Sequence, residues 1–189
     1  MPDPSPSRPR VLGGKELAVL VLVVLVVVGM MAPIIWRTYQ TSLAVRCRAH
    51  LAEIYEAVRH YAQNHGGCPP CHGAPPGADW RRLVEPHLDR DERRGGPRAV
   101  WECPAGGPYV GNRHLFTCPG RRLGSIRLDR EVGVVADGTP QAGREGASDF
   151  AGVDWRHRDG ANVIFVDGHI AWVPRAKSQW TRRHWNQPQ

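Results

Sequence analysis

The stretch LAVLVLVVLVVVGMMAPII, residues 17–35, decides how this chain is read: it runs nineteen residues without a charge and is rich in Val and Leu. A helix of that length rises 1.5 Å per residue and spans about 28 Å, close to the hydrocarbon thickness of a bilayer. A buried core helix would show a polar face, and this segment has none. The run therefore predicts a transmembrane helix over residues 15–36. Positive residues also precede secretory signals, but this run is longer than a signal core and has no small-x-small cleavage site before Pro33-Ile34-Ile35-Trp36. Arg8, Arg10 and Lys15 lie ahead of it and hold the short N-terminus in the cytoplasm, against a weaker pull from Arg37, Arg46 and Arg48. The expectation is a single-pass protein of the inner membrane whose remainder is exported to the periplasm.

Working outward, residues 1–14 contain four Pro and no apolar periodicity, and read as a disordered cytoplasmic tail. Over residues 37–65 the pattern becomes amphipathic. Leu51, Ile54, Tyr55, Val58, Tyr61 and Ala62 recur at helical spacing, Cys47 lies on the same stripe, and Arg48, His50, Glu53, Glu56, Arg59 and Gln63 take the other side. Asn64-His65-Gly66-Gly67 and Pro69-Pro70 end this stalk helix, because Gly accepts the left-handed cap and Pro cannot continue the ladder. An apolar stripe needs a cover, and the C-terminal half must supply it as a sheet.

Residues 66–174 form the expected head, with 175–189 as a loose tail. The segment 66–125 is rich in Gly, Pro and Arg and reads as loop with one short helix near Trp80 to Leu88. Val132 to Ala136 reads as a strand ended by Asp137-Gly138. Val163-Ile164-Phe165-Val166 and His169-Ile170-Ala171-Trp172-Val173 flank Asp167-Gly168, which predicts a hairpin with a two-residue type I′ turn. The fold class is α+β: a long N-terminal transmembrane and stalk helix, bent near Pro33, laid on a small antiparallel sheet. A chain of 189 residues leaves room for one such domain plus the anchor. The net charge of +7 comes from Arg scattered through Gly/Pro-rich stretches, without a basic helix or an aromatic RNA-binding signature, so nucleic acid is not an expected partner.

These residues resemble a known family, the type II secretion pseudopilin-like proteins with a prepilin-type helix and a C-terminal motif of His, nine residues, then Asp-Gly. His157 and Asp167-Gly168 have that spacing, and Asn162 and His169 also look like the family. Pro33, Cys47 fourteen residues later, the stalk stripe and Pro69-Pro70 match its helix in register, and Cys103-Pro104 and Asn112 are similar to its mid-domain Cys-Pro and Asn. Glu16 stands seventeen residues before Pro33, where prepilins carry a Glu thought to pair with the N-terminal amine of a neighbouring subunit. The chain departs at the processing site: Val11 occupies the position of the cleaved Gly, and Gly13 and Gly14 are out of register. The resemblance implies a pilin-like fold and a structural or interaction subunit of a secretion or envelope assembly. Its implied partners are membrane lipid and other pilin-like or secretion-system subunits.

All five cysteines, Cys47, Cys68, Cys71, Cys103 and Cys118, follow the membrane run. An oxidising compartment would allow disulfides, and Cys103 with Cys118 plus Cys68 with Cys71 is the favoured pairing. Two alternatives stay open. Cys68-Pro-Pro-Cys71-His72 fits a c-type haem attachment pattern, and Cys68, Cys71, Cys103 and Cys118 could hold zinc. Cys47 reads as a buried free thiol. His157, Asp159, Asp167 and His169 cluster near one hairpin; the expectation is structural, with Asp167-Gly168 making the turn and His157 bonding a loop carbonyl. Asp137-Gly138 and the Trp residues at 80, 101, 155 and 172 read as turn and core. No nucleophile elbow, phosphate loop or dinucleotide motif is present, so neither an enzyme nor a small-molecule substrate is expected.

Overall fold

The computed structural model describes residues 14–69, 79–88, 100–117, 121–126, 130–177 and 185. Helix α1, Gly14–His65, is continuous over 52 residues with Pro33 inside it. The chain divides into two compact units between Tyr39 and Gln40. In the first, the large apolar side chains from Leu17 to Tyr39 stand 46–68% exposed. This stretch is long and apolar enough to cross a membrane: its best 18-residue window has a mean hydropathy of 3.1 and none of it is buried.

In the second unit the same helix turns amphipathic, and Leu43, Cys47, Leu51, Ile54, Tyr55, Ala57 and Val58 are buried. It stops at His65, where Gly66 takes a φ of +74° that a Cβ would disfavour. The stripe packs on a five-stranded sheet. Its strands are β1 (Tyr109–Asn112), β2 (Gly133–Asp137), β3 (Ala147–Ser148), β4 (Gly160–Phe165) and β5 (Ile170–Pro174), in the order β3-β1-β2-β4-β5. Alternation sorts β4 between two cores. Ile164 joins the stalk residues in one cluster, while Ala161, Val163 and Phe165 join Phe150, Val153, Val173 and Trp185 in the other. Coverage on both faces explains why β2 and β4 are buried along their whole length.

Short helices complete the head. Helix α2, Trp80–Val84, is capped by the Asp79 side chain and runs into a 3-10 turn at Glu85–His87, as expected near Trp80. Helix α3, Pro140–Glu145, begins where the Thr139 hydroxyl accepts from the Ala142 N–H and Pro140 fills the first turn.

Four expectations need correction. The sheet is mixed, because the two-residue β3 runs parallel to β1. The turn between β4 and β5 is not type I′, since only Gly168 has positive φ, at +89°. Gly168 donates to Phe165 O and Phe165 donates to His169 O, giving a three-residue loop that ends in a left-handed Gly. Trp172 is 40% exposed rather than core. Within the stretch expected to be a loose tail, Trp185 is fully buried, its indole donating to Ser148 O at 3.1 Å.

Candidate functional site

Four elements far apart in sequence bring their polar side chains to one buried point. Cys47 projects from the inner stripe of α1. Cys103 sits in a turn closed by its N–H to Gly107 O at 2.8 Å and by the Gly106 N–H to its own carbonyl at 2.7 Å. Asp137 is the last residue of β2. His157 occupies the turn before β4, where His157 and Gly160 exchange backbone bonds of 3.0 and 3.1 Å. That turn holds Arg158 and Asp159 at φ of +54° and +57°, a left-handed pair of non-glycine residues directly after the imidazole.

The distances are short. The Cys47 thiol donates to Asp137 Oδ1 at 3.0 Å, Cys103 Sγ lies 3.2 Å from His157 Nε2, and His157 Nε2 lies 3.6 Å from Asp137 Oδ2. One donor atom from each of the four residues falls within 4.8 Å of every other. Surrounding groups fix these side chains in place. The Asn162 N–H donates to Asp137 Oδ2 at 2.7 Å, the Tyr109 hydroxyl to Cys47 O at 3.3 Å, and the Trp172 indole to His157 O at 2.7 Å. Arg48 Nε, one residue beyond Cys47, donates to Asn162 Oδ1 at 3.1 Å.

Protonation follows from this packing. The Cys103 thiol is held below its ordinary value chiefly by the neighbouring Cys47 side chain; burial opposes this and His157 assists. Cys47 is pushed up by its Cys103 neighbour, then by burial and by the Asp137 charge. Burial alone would lower His157, but hydrogen bonds to Asp137 and Cys103 prevail and raise it to about 9.

Sequence reasoning treated Cys47 as an isolated buried thiol, Asp137 as a turn residue and His157 as a partner for a loop carbonyl. Cys47 is buried and free as expected, but all three side chains face one another. The expected grouping of His157, Asp159, Asp167 and His169 does not form. Asp167 and His169 bond each other at the opposite end of the β4–β5 hairpin, and Asp159 lies 3.9 Å from Arg175. The remaining residues of the family-like motif have local roles. Glu16 stands in the first turn of α1. Asn112 caps its own turn, donating to Gly133 O at 2.8 Å and accepting from the His114 N–H at 3.0 Å.

Among the described residues, Cys68 and Cys103 have no disulfide partner. Their expected disulfide partners, Cys71 and Cys118, lie outside the described residues, as does His72 of the haem-like pattern, and the disulfide expectation gains no support. Cys68 is buried in the core cluster and pushed up to about 12 by that burial. Asp137 is the residue whose role was missed. The signal available was a carboxylate closing a strand whose preceding residues are all apolar or Gly. No family model, curated protein or solved structure matches the chain.

Proposed function

We propose that this chain is a single-pass, membrane-anchored subunit of pseudopilin type, with a structural or interaction role and no catalytic one, whose head is exported. The observation that carries the reading is the division within α1. Its first part is apolar on every side and exposed, whereas its second part carries a stripe buried against the sheet. Apolar side chains in that number are stable only in lipid or against other apolar helices. The stalk laid on a sheet and the His157 to Asp167-Gly168 spacing favour the pilin-like comparison over other anchored domains.

The reading is tested in two steps. A phosphatase that works only after export, fused behind Gln189, should be active in intact cells; activity confined to a cytoplasm-dependent reporter would contradict the topology. A photo-crosslinking residue at Val23 should then yield adducts with other single-pass helical subunits. Adducts with lipid alone would remove the assembly role and leave a bare anchor.

A further inference from the structure

We propose that Cys47, Cys103, Asp137 and His157 bind one zinc ion in a closed structural site that fastens the stalk helix to the sheet. In a tetrahedral zinc site, bond lengths of about 2.0–2.3 Å place neighbouring donors about 3.3–3.8 Å apart. The Cys47–Asp137 Oδ1 and Cys103–His157 distances, 3.0 and 3.2 Å, lie just under that range, and one donor atom from each of the four residues falls within 4.8 Å of every other before any ion draws them into register. Two sulfurs, an imidazole nitrogen and a carboxylate oxygen suit zinc, whereas calcium and magnesium take oxygen donors. Four protein donors fill the coordination sphere and leave no position for a substrate or a reactive water, so the site is structural.

The supporting groups fit the same role. The Asn162 N–H donates to Asp137 Oδ2 at 2.7 Å, which orients the carboxylate and leaves Oδ1 facing Cys47. Loading is balanced. One zinc ion enters, any proton still held on a ligand thiol or imidazolium leaves for solvent, and four dative bonds replace the hydrogen bonds of the cluster. The consequence is mechanical. Cys47 and Asp137 are 90 residues apart and Cys103 and His157 are 54 apart, so a single ion ties α1 to three separate loops and strand ends of the head. This inference does not depend on the pilin-like reading or on the membrane topology.

The test uses the untagged full chain in detergent, purified under reducing conditions and dialysed against metal-free buffer. The expected result is close to one zinc per chain, with X-ray absorption showing two sulfur ligands at about 2.3 Å and two nitrogen or oxygen ligands. Cys47→Ser and Asp137→Asn should each lower retained zinc at least tenfold, His157→Cys should retain it with a third sulfur, and Cys68→Ser should leave it unchanged. Four sulfur ligands together with loss of zinc in Cys68→Ser would move the metal to the cysteine set suggested by sequence and overturn the proposal. So would a chain that stays zinc-free after incubation with zinc chloride, one loaded with iron or copper in preference, or, in protein purified without reductant, a disulfide joining Cys47 to Cys103 in the peptide map.

Discussion

Within α1, residues 17–35 and residues 43–58 obey the same backbone rules and meet opposite fates. The first stretch is apolar around the full circumference, and its large side chains stand exposed. The second confines its apolar residues to one stripe, and that stripe is covered completely at Cys47, Leu51, Ile54 and Val58. The angular distribution of apolar residues, more than their number, therefore selects the solvent. An unbroken apolar surface calls for lipid, because lipid surrounds a helix on all sides, whereas a sheet covers only one.

Substitutions in each stretch can break or sharpen this contrast, read by urea unfolding of the full chain in detergent. Leu51→Ala removes a fully buried side chain from the stripe and should destabilise the head by about 2–5 kcal/mol, while Leu25→Ala in the apolar run should leave head stability unchanged. Equal losses from both would mean that the two stretches share one environment. A smaller effect is expected at the edge of the stripe. Gly168 has φ +89°, and a Cβ there would stand 3.1 Å from Tyr55 Cε1, so Gly168→Ala should cost about 1–2 kcal/mol. An unchanged midpoint would show that the hairpin loop is free to move off the helix. The outer face should respond least. Glu56 and Arg59 pair at 2.6 Å but are half exposed, so Glu56→Ala should shift stability by no more than about 0.5 kcal/mol.

Features governed by local periodicity were legible in the sequence. The stalk stripe, the helix stop at His65, the short helix at Trp80 and the strands around Val134 and Val163 all follow from spacing and turn chemistry within a dozen residues. Features that depend on distant partners were not. The two-residue β3 has no pattern of its own and exists because β1 lies beside it. The Asp-Gly turn was assigned too tight a geometry because Asp167 keeps a negative φ, the loop being closed by His169 one residue further on. The buried cluster was hardest to see. Cys47, Cys103 and His157 were each noted, yet no short motif joins residues 54 and 90 positions apart, and Asp137 resembled an ordinary turn former. Only the packing of α1 on the sheet brings them together.

The contrast between the two stretches of α1 is tested most directly by extracting membranes from cells expressing the intact chain with alkaline carbonate. That treatment strips peripheral proteins and leaves spanning helices in place. The account predicts that the chain remains in the membrane pellet and is released only by detergent. Recovery of full-length chain in the carbonate supernatant would contradict it.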